Sequence, residues 1–588
     1  MNNLMIDWES VGKLDDWARN RYLKLLKELG EREFTRNDAE EILKKNYLDL
    51  ENIGKLFSVL RENGLVQVRE DNEDSRRNVY RFVFLNKAIN VKGKVKRDDL
   101  IALLKKASDL IRTTVDYKVL LLFLFYKSVS DIYNSRVNEY RKEGYEEKES
   151  YFLVNSEYLK LYDAKENKLY TWQEVTKSID TIKELTNAII KISNLNDELS
   201  DLTQIVQVTG LIGLMSEENR HILIGLVQLF NQYDFSEADY DTLGDGYQWI
   251  LSYFAPQRAK EGEVYTPKEI IRLAIKLLDI TNGTTVLDPA SGSGGMLIES
   301  YEHVKEKVPE PNLQLIGQER NEIMAAIAKM NMRLRGIVSY EIYVGDSIVN
   351  PKFSRADYVI ANPPWNQDGY DERVLSRDNI KEIYNSIVEG GYPPRTTADW
   401  AWVQLMLYFA KKKVGVILDQ GALFRGGKEE NIRKGIVKSD LIEAVILLPE
   451  KLFYNTSAAG IILVFNKEKP LEYKGKVLFI NASELYVKHP EIRKLNQLSE
   501  ENINKIVNIY KDFKDTKNYA KVVGIEEIEK NNYNLNVSLY VQKEYENDEI
   551  DIFKEFEELK SLEEQRQSIM EKLENYLEGV NKLNGRKS

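Results

Sequence analysis

The chain has 588 residues, 43% hydrophobic and 30% charged, and a net charge of −11. That length supports several cores, since single cores stop growing near roughly 250 to 300 residues, and the acidic balance argues against a chain that coats nucleic acid unaided. Without cysteine, and with only His221, His303 and His489 scattered along the sequence, thiolate catalysis, disulfide staples and a metal site are not expected.

The start, "MNNLMIDWES", lacks the basic and apolar regions of a signal peptide. The apolar run "VLLLFLFY", Val119 to Tyr126, is far short of the roughly 20 residues of a membrane span and reads as a buried helix segment. A cytoplasmic protein with no membrane partner is expected. From Leu14 to Gly30, apolar residues recur at helical spacing up to a terminal glycine. A second helix, "TRNDAEEILKKNY", opens on Thr35 with Asp38 three residues on, and a third is "LENIGKLFSVLRENG". "LVQVRE" and "VYRFVF" then alternate like strands around "DNEDSRRN". Residues 1–90 therefore resemble a winged helix-turn-helix, with two uses open: DNA contact through Lys55, Arg61, Arg76 and Arg77, or docking of a protein.

After a basic linker, residues 98–255 read as an all-α domain with solvated surface runs. From Glu263 the grammar alternates between strands and helices: "TTVLD", "LQLIG", "EIYVG", "ADYVIA", "KVGVIL", "EAVILL" and "GIILVF" are apolar on both faces. They predict a doubly wound α/β domain over 256–470, built on a mostly parallel sheet that binds ligands beyond its strands' carboxyl ends. Residues 471–548 read as a mixed connecting segment. In 549–588, Ile552, Leu559, Leu573 and Val580, with Leu562, Ile569, Tyr576 and Leu583, mark a heptad helix interrupted at Arg566, which implies a helical partner.

The chemistry concentrates at four strand ends. "VLDPASGSGGML" closes the first strand on Asp288 and turns through Gly292, Gly294 and Gly295 into a helix, a weak signal shared by several nucleotide cofactors. "GQER" places Glu319 where a carboxylate can take ribose hydroxyls. "GDSI" offers Asp346, and "NPPW" delivers Asn362 where proline forces the chain out of the sheet. Each has a bland reading as a cap or a turn former. Their shared edge makes that reading insufficient.

"LDPASGSGGM", "GQER", "GDS" and "NPPW", in this order, resemble the amino-methylating DNA methyltransferases that use S-adenosylmethionine (SAM), in the gamma arrangement. The stretch "EVYTPK", with Glu263, Tyr265, Thr266 and Pro267, looks like their additional SAM-contacting motif. The helical region, the "LDQGALFRGG" and "LPEKLFYNTSAAG" blocks and the terminal helix resemble the modification subunit of type I restriction-modification systems. The resemblance implies a Rossmann-like SAM-dependent core and adenine N6 as the methylated atom. It implies cofactor contacts from the "EVYTPK" residues and from Asp288, Ala290, Ser291, Gly292, Ser293, Gly294, Gly295, Glu319 and Asp346. Catalytic roles fall on Asn362, Pro363, Pro364 and Trp365. Asn362 and the Pro363 carbonyl would accept hydrogen bonds from the exocyclic amine, and Trp365 would stack on a base flipped out of the duplex.

The implied partners are double-stranded DNA, a separate specificity subunit, a second copy of the chain and a restriction (nuclease or translocase) subunit. Residues 467–548 are too short for a base-reading domain, which favours a separate specificity subunit. Three other readings stay open: a self-sufficient methyltransferase using its own winged helix, methylation of a protein glutamine or an RNA base, and a catalytically idle DNA-binding scaffold.

Overall fold

The computed structural model describes residues 5–6, 10–11, 13–30, 32–46, 53–70, 78–85, 95–111, 115–178, 181–200, 202–203, 217–260, 265–454, 456–490, 492–542 and 552–584. Its centre is a nine-stranded sheet, whose strands are numbered here in chain order: β1 (Thr285–Asp288), β2 (Gln314–Glu319), β3 (Tyr340–Val344), β4 (Ala356–Ala361), β5 (Ala410–Asp419), β6 (Ile442–Leu447), β7 (Gly460–Asn466), β8 (Lys476–Asn481) and β9 (Ala520–Gly524). Their spatial order is 3-2-1-4-5-7-6-8-9. β1 to β5 pair in parallel, and β7 inserts antiparallel between β5 and β6.

Alternation of side chains explains why these strands read as apolar throughout. Val286, Leu315, Ile360, Ile417 and Ile446 enter one core, while Leu287, Ile316, Val359, Val416 and Val445 enter the other. Helices Lys268–Leu278, Gly295–Lys305 and Glu500–Asp512 supply apolar residues to the first face, and Asp399–Phe409 and Lys428–Lys438 to the second.

Two features depart from the sequence expectations. β7 runs against its neighbours, which its composition does not reveal, because a strand buried on both faces looks the same in either direction. And residues 471–548, expected as a connection, contribute β8 and β9 to the sheet; Val477 and Phe479 fill one core and Leu478 and Ile480 the other.

Most of the described residues between 97 and 260 are helical. Helix Lys118–Lys142 buries Val119 to Tyr126 as expected, in a core shared with Met324, Ile327 and Met330 of helix Glu322–Leu334. That helix follows β2 and joins the two parts, and the Tyr247 hydroxyl donates to its Ile327 carbonyl at 3.2 Å.

At the N-terminal end, helices Asp16–Leu29, Arg36–Lys45 and Ile53–Glu62 pack on a three-stranded sheet, Phe34–Thr35, Asn78–Phe82 and Val66–Glu70, around Tyr22, Phe57 and Phe82. The Thr35 and Asp38 capping box forms. Arg76 and Arg77 lie outside the described residues.

Helix Ile552–Asn584 covers the heptad stretch. Every residue from Phe556 to Leu573 on it is exposed. Among the described residues no helix is long and apolar enough to cross a membrane, and no His, Cys, Asp and Glu cluster could hold a metal ion.

Candidate active site

The carboxyl ends of β1, β2, β3 and β4 open on one side of the sheet, with β1 beside β4 at the point where strand order reverses. Crossovers leave in opposite directions there, so a cleft forms without any side chain having to be removed. It contains a cavity of about 310 Å³, lined by Tyr265, Thr266, Asp288, Ala290, Ser291, Gly292, Ser293, Gly295, Glu319, Asp346, Asn362 and Pro364. That volume is at the lower end of what small-molecule and cofactor sites occupy.

The glycine turn is built as its sequence suggests. Gly292 and Gly294 take φ of 50° and 83°, in the left-handed region that favours glycine. Gly294 itself faces away from the cavity: a Cβ there would come within 3.3 Å of the Met332 side chain. Glu319 bonds the turn, its Oε2 accepting from the Gly292 N–H at 2.9 Å and its Oε1 from the Asn321 N–H at 2.8 Å. Asp288 is buried at 1% exposure, and its carboxyl is pushed up to about 8, chiefly by desolvation; the Ala290 N–H, which it accepts, opposes this and the nearby Glu319 charge adds to it.

Asp346 accepts from the Ile348 N–H at 3.0 Å and from the Tyr370 hydroxyl at 2.6 Å. Ser291 Oγ, in the cavity wall, is buried with no partner. A buried hydroxyl of that kind calls for a polar ligand.

On the β4 side the groups hold one another. Asn362 is 8% exposed; its Nδ2 donates to Thr266 Oγ at 2.8 Å, and its Oδ1 accepts from Trp365 Nε1 at 2.9 Å. Trp365 Nε1 also reaches the Ile417 carbonyl of β5 at 3.2 Å, and its ring meets Phe453 edge-on with centroids 4.7 Å apart. Trp365 therefore fixes the amide and is not itself among the residues that line the cavity. Gly460, at the start of β7, makes room: a Cβ there would lie 2.7 Å from Phe453 and 3.2 Å from Trp365.

Further along, Asn366 adopts φ of 53°. Its N–H donates to Asp399 Oδ1 at 2.9 Å, while Arg425 bridges Asn366 Oδ1 at 2.9 Å, Glu429 at 2.7 Å and Asp399. Burial raises the Asp399 carboxyl, and Arg425 pulls it back.

Thus the structure gathers most of the expected residues, with Pro267, Pro363, Gly294 and Trp365 standing just outside the cavity lining. Glu263 lies outside the described residues. Sequence reasoning missed Gln248, Arg320, Gln367, Tyr370 and Trp402. Gln248 comes from the helical region and donates to the Tyr265 hydroxyl at 2.9 Å, a contact no local pattern announces. Tyr370 could have been suspected, since it follows "NPPW" within the same turn-rich stretch.

Comparison with known proteins places the chain as a whole. The N-6 DNA Methylase family profile matches residues 238–549 and the HsdM N-terminal domain profile residues 100–230. The type I restriction enzyme MjaVII methylase subunit of Methanocaldococcus jannaschii is 54% identical over 96% of this chain and 98% of its own length. The MjaVIII methylase subunit of the same organism is 49% identical, with the same coverage of both chains. A type I restriction-modification methyltransferase subunit from Streptococcus thermophilus superposes with a TM-score of 0.65 at 22% identity, covering 76% of this chain and all of that one. A chain this similar over 96% of its length belongs to the methylase subunits of type I restriction enzymes, within the N-6 DNA methylase family.

Proposed function

We propose that SAM occupies the cavity between β1 and β4 and that an adenine flipped out of duplex DNA enters beside Asn362. The observation that carries this is the Asn362 amide, set by Thr266 and Trp365 at the rim of a cavity lined by Asp288, Glu319 and Asp346. Bound SAM supplies an electrophilic methyl carbon on a sulfonium. An adenine amine is a poor nucleophile because its lone pair is delocalised into the ring. Asn362 Oδ1 uses one lone pair for Trp365 and keeps another for the amine N–H, and the Pro363 carbonyl is the second acceptor. Two acceptors fixed before the reaction favour a pyramidal nitrogen with its lone pair localised.

Glu319 takes the ribose hydroxyls while keeping its backbone bonds. Ser291 Oγ and the turn from Ser291 to Gly295 meet the polar methionine portion, and Asp346 faces the cofactor adenine. Trp365 acts first as the group that aims the amide, and its partly exposed face is the platform for the base.

In this reading residues 1–90 are a winged-helix domain, 98–255 the helical domain, and 549–588 a docking helix for a specificity subunit, in an assembly with DNA, a second copy of the chain and a restriction subunit. The exposed Leu559, Leu562, Ile569 and Leu573 support the docking role.

The test is to co-express the chain with a candidate specificity subunit from the same genome, incubate the complex with DNA and methyl-labelled SAM, and digest the DNA to nucleosides. Label is expected in N6-methyladenine. Label in N4-methylcytosine, or none with the partner present, overturns the proposal.

A further inference from the structure

The loop that carries the base-binding residues is fastened to the cofactor cavity at both ends. At its start, Asn362 Nδ2 donates to Thr266 Oγ at 2.8 Å; at its end, the Tyr370 hydroxyl donates to Asp346 Oδ2 at 2.6 Å. Thr266, Asp346, Asn362 and Tyr370 all line the same cavity. The second fastening is the one that no sequence motif announces.

Tyr370 is 8% exposed, so its ring cannot swing into solvent without losing packing. Burial and the Asp346 carboxylate beside it hold the phenol well above its ordinary titration range, so it stays a donor at any working pH. Around it, Gln367 Nε2 approaches the hydroxyl at 3.4 Å, and Gln367 Oε1 accepts from Trp402 Nε1 at 3.3 Å. The other Asp346 oxygen is fixed by the Ile348 N–H at 3.0 Å. A ligand donor that binds Asp346 must therefore share a carboxylate whose second oxygen already holds the end of the base-binding loop.

We propose that Tyr370 is a positioning residue that couples cofactor occupancy to capture of the target adenine: the hydroxyl bond to Asp346 transmits whether the cofactor adenine is in place to the loop from Asn362 to Tyr370. This rests on the methyltransferase reading of the same site. A purely structural tyrosine would stabilise the fold and affect both ligands independently. A coupling residue sets the factor by which one ligand tightens the other, and linkage requires that factor to be the same in both directions.

The experiment uses the complete complex with its specificity partner. Dissociation constants of S-adenosylhomocysteine, the demethylated product, are measured with and without a duplex carrying the sequence found labelled in the methylation experiment above, and those of the duplex with and without S-adenosylhomocysteine. For the unaltered complex each ligand is expected to tighten the other by about tenfold, within the usual range of such couplings. In Tyr370→Phe, which removes only the hydroxyl, S-adenosylhomocysteine affinity in the absence of DNA should stay within about threefold while the mutual factor falls towards one. An unaltered complex that binds the two ligands independently, or a Tyr370→Phe complex that keeps the full factor, overturns the proposal. So does a variant that loses free-state cofactor binding altogether, because it assigns Tyr370 to the pocket itself. In the first two cases adenine methylation by the unaltered complex continues, so the function stands when this inference falls.

Discussion

The two halves of the site are held by different means. On the β1 to β3 side, carboxylates lean on neighbouring main chain: Glu319 on the N–H groups of Gly292 and Asn321, Asp288 on Ala290, and Asp346 on Ile348. On the β4 side, side chains hold side chains from distant segments: Asn362 with Thr266, Trp365 with Phe453, and Asn366 with Arg425. Apart from the Asp346 bond to the Tyr370 hydroxyl, which ties it to the second half, the first half can be disturbed one ligand contact at a time. The second is a network in which displacing one member moves the rest.

The largest effect should come from Asn362→Ala. Removing a preorganised acceptor lowers methyl transfer by about a hundredfold or more, with SAM affinity nearly unchanged. Single-turnover rates and calorimetric SAM binding check this, and an unaltered rate removes Asn362 from the chemistry. Next is Glu319→Ala, which should weaken SAM by roughly ten- to a hundredfold, in the range of a charge-assisted hydrogen bond. If its SAM dissociation constant does not move, the contrast between the halves collapses.

A smaller change reaches the second half from behind. Gly460→Ala puts a methyl group against Phe453 and Trp365. We expect turnover to fall about tenfold through the displaced amide, with SAM binding retained, as for small misplacements of catalytic groups. Equal losses in turnover and SAM affinity would mean that the two halves move as one.

The smallest prediction concerns pH. Because Asp288 in the folded chain titrates near about 8, well above the ordinary value of about 3.9, the fold keeps a proton that the unfolded chain releases. Stability from this group is complete below about pH 4 and is lost as pH rises through about 8. Asp288→Asn should flatten the fall of the thermal midpoint of the cofactor-free chain over that interval. A slope identical to that of the unaltered chain excludes Asp288 as its source.

The same contrast governs what could be read beforehand. The β1 to β3 half was legible because its devices are local: glycines at a strand end, and a carboxylate where each next strand stops. The strands were legible from their apolar runs, as were the capped helix at Thr35 and the heptad stretch at the end. The direction of β7 and the sheet membership of β8 were not, because pairing partners lie far away in the chain. The resemblance implies a base platform at Trp365; its indole N–H bond to Asn362 depends on β5 and on the loop carrying Phe453. Gln248 was invisible for the same reason, and so was the Asp346 partner of Tyr370.

The uncovered stripe of helix Ile552–Asn584 has a practical corollary. Phe556, Leu559, Leu562, Ile569 and Leu573 each leave more than half of their surface in water, and burying such surface releases about 25 cal/mol per Å². A chain prepared alone thus carries unspent cohesion, and whatever covers the stripe adds to its resistance to heat by mass action. Its melting midpoint should climb when the preparation is concentrated, and climb further once the natural occupant is added.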